Sequence, residues 1–286
     1  MIPRLVVLAL LSAPLAAQDS LEAVKIRITP AAGVVYMAEG INGFGGGNVA
    51  ASIGPDGILL VDDMYAGMAD KLQASLKTLS PMPVRIVLNT HFHGDHIQGD
   101  GVFGKTATII AHENVLKRLT ASGKPLPFPM VTFADSLTVR FNGENIQLRH
   151  LPNGHTDSDA IVFFEQSKVL HLGDMFFVGM FPAVYAEGGG DIRKLIASLD
   201  RVVADYPPDT KVIPGHGDLS TMSDLRGYVT MLKETVAAAE EGIREKKGEA
   251  AIKKDPRIQK YAKLGDGGGQ TVDQYVAMLL KLLSKP

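Results

Sequence analysis

Four side chains able to bind a metal fall within six residues of this chain, at His91-Phe92-His93-Gly94-Asp95-His96. They follow directly on the apolar run Val84-Arg85-Ile86-Val87-Leu88. At the end of such a strand the backbone leaves the sheet and can fan the imidazoles and the carboxylate around a cavity. The sequence has eight histidines, and this segment takes three of them. Three further candidates stand in Gly154-His155-Thr156, Leu172-Gly173-Asp174 and Pro214-Gly215-His216-Gly217, each close behind an apolar stretch. Imidazole nitrogens and carboxylate oxygens suit zinc and neighbouring first-row metals without any thiolate, and the chain has no cysteine. Seven such residues can hold two ions, three imidazoles around one and a mixed set around the other. The remaining histidines, His112, His150 and His171, stand singly beside strands and read as packing residues.

The order His-x-His-x-Asp-His, followed by Gly-His, Gly-Asp and Gly-His turns, resembles the metallo-β-lactamase superfamily over nearly all of the chain after its first residues, from about Asn48 to the helices beyond His216. The resemblance implies an α/β fold, a four-layer αββα sandwich. It implies that His91, His93 and His155 bind a first metal, that Asp95, His96 and His216 bind a second, and that Asp174 bridges the two. The full set looks like that of glyoxalase II and related hydrolases. It departs from the β-lactamase subclasses, which place Cys or Ser where this chain has Asp174. The Lys that holds a substrate carboxylate in the Cys-containing subclass is missing from the stretch after Asp174. Two zinc ions per chain are therefore expected, with iron or manganese as other metals the donors would accept.

A pair of divalent ions lowers the pKa of a bound water and polarises a carbonyl, so the expected nucleophile is a metal-bridging hydroxide. Asp95 is the catalytic candidate, as ligand and as the group that orients this hydroxide. Metal-bound imidazoles normally donate their other N–H to a carboxylate or carbonyl, and Asp62, Asp63, Thr156 and Asp157 are candidates for that support. The apolar Met175–Tyr185 stretch is a candidate pocket lining, with Phe176–Phe181 beside the substrate. Basic anchors are scarce, Arg193 and Lys194 being the first after Asp174, and the Lys and Arg residues of 223–260 read as a solvated helix face. The expected activity is hydrolysis of an ester, lactone, thioester or amide. β-Lactam hydrolysis is the alternative, and an iron-dependent oxidoreductase on the same scaffold the alternative of another class.

The elements that must position these groups follow from periodicity. Residues 24–29, 33–38, 48–53, 57–63, 84–88 and 107–111 read as strands, with a helix at 66–79 and another at 112–119. Residues 122–130 carry three prolines and read as a loop. Strands are expected at 137–141, 145–151, 160–164, 168–172 and 211–213, with a hairpin turn at Asn142-Gly143. Helices are expected at 191–203, 223–247 and 271–283. Gly43–Asn48 is glycine-rich, but a strand follows it instead of a helix, which argues against a phosphate loop.

The 286 residues, 45% of them hydrophobic, suit one large domain with a C-terminal helical appendage at 18–286. Residues 1–17 have one early cation, an apolar run and small residues at the end, the layout of a secretory signal peptide cut near Ala17. A periplasmic or secreted protein is expected, free of the membrane once the leader is removed. Its formal net charge of −2, without a basic stripe, argues against nucleic acid and for a small-molecule substrate.

Overall fold

The computed structural model describes residues 21–123 and 127–284, so the leader expected at 1–17 lies outside the described residues. Strands β1 (Lys25–Ala32), β2 (Val35–Ile41), β3 (Val49–Gly54) and β4 (Gly57–Val61) run as an antiparallel meander. Strands β5 (Val84–Leu88), β6 (Thr108–His112) and β7 (Val131–Phe133) then add in parallel, giving a sheet in simple sequence order. Parallel neighbours need crossovers. Helix α1 (Ala69–Lys77) crosses from β4 to β5, the short α2 (Gly94–Ile97) and α3 (Asp100–Phe103) lie between β5 and β6, and α4 (Glu113–Ser122) joins β6 to β7. Strand β7 was not expected; it follows the proline-bearing loop at once.

The second sheet has the order β13-β12-β11-β10-β9-β8. It comprises β8 (Ser136–Phe141), β9 (Glu144–His150), β10 (Ala160–Phe164), β11 (Val169–His171), β12 (Lys211–Ile213) and β13 (Ser220–Thr221). Asn142 and Gly143 both take positive φ, 52° and 77°, as a two-residue hairpin between twisted strands requires. Helix α5 (Ile192–Asp205) carries the chain from β11 to its parallel neighbour β12.

Period-two alternation explains the layers. Met37, Leu59, Val61 and Leu88 of the first sheet pack face to face with Ile146, Leu148, Val162 and Phe164 of the second. The opposite face of the first sheet, with Ala51, Ile58, Leu60 and Val87, lies under Leu72 and Leu76 of α1. The opposite face of the second, with Ile161, Phe163, Leu170 and Val212, lies under α5 and α6 (Met222–Arg244). The order helix–sheet–sheet–helix is the expected αββα sandwich.

Helix α6 opens with a capping box at Thr221 and Asp224 and ends at Arg244, short of the expected 247. Between it and α9 (Val272–Leu283) stand two short helices not anticipated, α7 (Glu249–Lys253) and α8 (Pro256–Gln259). Tyr275 of α9 is buried against α6, its hydroxyl 2.8 Å from Thr235 Oγ1. Among the described residues no helix is long and apolar enough to cross a membrane.

Candidate metal centre

The candidate residues leave the sheets at one end of the sandwich. His91, His93, Asp95 and His96 follow β5, and His155 sits in the β9–β10 connection. Asp174 follows β11, and His216 follows β12. Ligands commonly gather at the carboxyl ends of parallel strands, and β5, β11 and β12 each have a parallel neighbour. Two glycines allow the close approach. A Cβ at Gly47 would overlap the His96 ring, and one at Gly215 would overlap Asp174 Oδ1.

The seven residues fall into two groups of donor atoms, each within 4.8 Å: His91, His93, His155 and Asp174 in one, Asp95, His96 and His216 in the other. Asp174 stands between them. Its Oδ2 lies 3.8 Å from His91 Nε2 and 3.4 Å from His155 Nε2. Its Oδ1 lies 3.1 Å from His96 Nε2 and 3.2 Å from His216 Nε2. Asp95 Oδ2 is 3.7 Å from His96 Nε2 and 3.5 Å from His216 Nε2.

Hydrogen bonds on the far side of three of the rings set the tautomers of their neutral forms. The Thr90 hydroxyl donates to Asp62 Oδ2 over 2.8 Å, so its oxygen accepts from His91 Nδ1 at 3.0 Å. His155 Nδ1 donates to the Ala183 carbonyl at 2.6 Å, and His96 Nδ1 donates to Asp62 Oδ2 at 2.7 Å. The Nε2 atoms of His91, His155 and His96 are then lone pairs. Two of them converge on His93 Nδ1, at 3.1 and 2.8 Å, which can satisfy at most one. The buried His96 Nε2 and Asp174 Oδ1 have no hydrogen-bond partner. Lone pairs aimed at lone pairs and at carboxylates need cations between them, so the donor set fits divalent metal in both groups.

Electrostatics prepare the neutral donor state in the first group. Burial pushes His91 well below the ordinary imidazole range, lowers His155, and takes His93 down to about 4, so all three are neutral donors at pH 7. Burial also opposes charge on His96, but Asp174, Asp95 and Asp62 together outweigh it and raise the ring well above its usual value, so the same carboxylates that favour a proton on this ring would favour a cation in its place. Burial would raise Asp174 too, yet His216, His96 and His155 hold it well below the carboxylate range.

The supporting residues divide. Asp62, fully buried at the end of β4, braces His96 directly and His91 through Thr90. Asp63 turns away and faces Asp100, a buried pair beside Asn89 whose amide donates to Asp100 Oδ1 at 3.3 Å. Neither Thr156 nor Asp157 reaches a ligand ring: Asp157 pairs with Arg118, and the Thr156 hydroxyl donates to Asp159. Asp159 itself was missed. It accepts the N–H groups of His155 and Thr156 at 2.6 and 3.0 Å and so fixes the turn that carries His155. Its signal was the short run Gly-His-Thr-Asp-Ser-Asp, whose last acid can reach back over four residues.

His112, His150 and His171 stay outside both groups. The rings of His112 and His150 stack at 3.7 Å, and His171 is held by the Asn48 carbonyl and the Gly173 N–H. Of the apolar stretch, Phe176 is core against Tyr228, while Phe177 and Phe181 line the cleft. Arg193 pairs with Glu240 and Lys194 reaches Asn153, both away from the cleft. Among the described residues, the Lys or Arg that lines it is Lys281 of α9, ion-paired with Glu187.

The family model of the metallo-β-lactamase superfamily matches residues 43–216, and the chain belongs to that superfamily. It is 30% identical over 151 residues to metallo-β-lactamase type 2 of Bacteroides fragilis, a match covering 53% of this chain and 57% of that protein. It is 28% identical over 162 residues to hydroxyacylglutathione hydrolase of Francisella tularensis subsp. holarctica, covering 55% of this chain and 61% of that one. These matches thus span little more than half of each relative. The fold is shared with a solved metallo-β-lactamase from Pontibacter korlensis, at a TM-score of 0.64 and 21% identity, over 73% of this chain and 99% of the other.

Proposed function

We propose that this chain is an exported hydrolase carrying two zinc ions and opening a carbonyl ester, lactone, thioester or amide of small size. The observation that supports this reading best is Asp174, whose two oxygens face the two donor groups separately. Divalent ions held there would supply a water ionised near neutral pH and a polarised carbonyl. The chain's own part is positioning. Asp95 lines the cleft beside His96 and His216, where its carboxylate accepts a hydrogen bond from the attacking water and then its proton. Tyr65 and Tyr185 line the same cleft, and burial together with Asp95 and Asp174 raises both phenols, so they stay protonated donors. Asp62, Thr90 and the Ala183 carbonyl hold the rings.

Metal analysis tests the reading. Zinc-saturated protein should hold close to two ions per chain, and His96→Ala should lose one while the three-imidazole group keeps its own. A stoichiometry of one in the parent overturns the dinuclear assignment, and tightly bound iron with oxygen consumption points to the oxidoreductase. A second reading, β-lactam hydrolysis, is favoured by the Bacteroides relative. Asp174 in place of a thiolate, and a cleft cation already paired with Glu187, speak against it.

A further inference from the structure

The cleft encloses about 920 Å³, and one of its walls comes from outside the region the family model matches. Gln270, Gln274, Met278, Lys281 and Leu282 line it, all beyond residue 216. Helix α9 has two working faces. Tyr275, Val276, Leu279 and Leu283 are buried in the core under α6. Gln274, Met278 and the adjacent Lys281 and Leu282, successive steps of four and then three or four residues, form the neighbouring strip and look into the cleft. Phe177, Phe181 and Val184 line it too.

Three contacts hold this wall in register with the donor groups. The Tyr275 ring stacks on Phe181 at 4.2 Å. The Met278 sulfur accepts the Val184 N–H at 3.1 Å. Lys281 pairs with Glu187. Val184 follows Ala183, whose carbonyl accepts from His155, so the wall is tied to a candidate ligand through two adjacent residues. The charge balance is as telling. Among the described residues, apart from Asp95, Asp174 and the imidazoles on the floor, the ionisable side chains lining the cleft are Glu187 and Lys281, which neutralise one another, and the phenols of Tyr65 and Tyr185. A thioether and two aliphatic or aromatic surfaces make an adaptable apolar groove, and among the described residues a ligand carboxylate finds there no Lys or Arg that is not already ion-paired.

From this geometry we infer that α9 forms the subsite for the non-reacting part of the substrate. That part is an uncharged apolar chain of several carbons lying along Phe181, Met278 and Leu282. The Glu187–Lys281 pair at the rim selects against chains that end in a carboxylate. The inference rests on the hydrolase reading for the position of the carbonyl, and binding is measured separately from turnover.

Straight-chain primary amides carry the carbonyl with a poor leaving group, and once ammonia release has been shown to be negligible over the titration they serve as probes in calorimetry on zinc-loaded protein. A buried methylene is worth up to about fourfold in affinity, and octanamide should bind at least tenfold tighter than butanamide. Met278→Gln with Leu282→Asn keeps an acceptor for Val184 and should cut that ratio below threefold; Leu282→Asn alone serves if the double variant misfolds. Equal affinities in the parent, or a chain-length gain that survives the substitutions, overturn the subsite. Glu187→Gln should release Lys281 and improve binding of suberic acid monoamide relative to octanamide at least fivefold. An unchanged ratio overturns the rim selection. 4-Nitrophenyl octanoate should be hydrolysed with a lower KM than the butyrate. If neither ester is turned over while the amides bind in the expected order, the hydrolase reading fails and the subsite stands.

Discussion

One oxygen of Asp62 serves both donor groups: its Oδ2 lies 2.7 Å from Nδ1 of His96, and 2.8 Å from the Thr90 hydroxyl that braces His91. Asp62 holds this position at a φ of 62°, a left-handed conformation that asparagine shares with little cost. Asp62→Asn therefore keeps the turn but replaces an acceptor by a mixed amide. The His96 ring then loses its charged partner and its enforced tautomer. Metal affinity should fall about 10- to 100-fold, read by competition with a chromogenic chelator, with a parallel loss in kcat. An unchanged chelator titration would remove Asp62 from the support of the site.

Asp159 acts on the other group through the backbone. It accepts the N–H groups of His155 and Thr156 and the Thr156 hydroxyl from a fully buried position. Asp159→Ala strands those donors, at a cost of about 1–3 kcal/mol for each left unsatisfied. A drop in Tm of several degrees is expected. The metal of the three-imidazole group should weaken first, while the Asp95, His96 and His216 group retains its own. Loss of both ions together would show that Asp159 supports the whole loop cluster, not His155 in particular.

Much of this arrangement was readable from residue order because it is local. Ligand-type residues stood directly behind apolar runs, and period-two alternation placed the strands that carry them. What stayed hidden depends on contacts across the sequence. Asp62 and Asp63 are neighbours with the same chemistry, and the backbone turn sends one to His96 and the other to Asp100. Lys281 stands far along the chain from Asp174, and only the docking of Tyr275 onto Phe181 brings it to the cleft. Strand β7 and helices α7 and α8 are too short for periodicity to declare them.

The pair of Asp63 and Asp100 makes stability depend on pH. Burial, then the neighbouring carboxylates, push Asp63 well above its ordinary range, and burial takes Asp100 up to about 7. As two ionised acceptors they repel; with a proton between them they share a hydrogen bond. A folded-state pKa above the unfolded value means stability that is present at low pH and lost as pH rises through the folded value. Between the ordinary carboxylate value of about 4 and the folded value of about 7, each pH unit should then cost roughly 1.4 kcal/mol per retained proton. Asp63→Asn supplies a permanent donor, so its Tm should stay level between about pH 5 and 7, where that of the parent falls. Parallel Tm profiles for the two proteins would show that no proton is held there.

Substrate class turns on Asp174. A carboxylate offers one oxygen to each donor group, whereas a thiolate offers a single atom. Asp174→Cys should therefore uncouple the two groups, leaving the three-imidazole ion in place at low zinc and lowering ester turnover by at least tenfold. In the parent, Asp174 adds negative charge to the cleft floor, and Lys281, the one Lys or Arg lining the wall among the described residues, is committed to Glu187. A penicillin, a cephalosporin and a carbapenem all bring a carboxylate to that surface. Their turnover by the parent should be weak and poorly saturable, with kcat/KM below about 10⁴ M⁻¹s⁻¹, the low end of ordinary enzymes. The neutral octanoate ester should exceed each of them. Efficient, saturable hydrolysis of any of the three by the parent protein would reverse this ranking and make β-lactams the substrates.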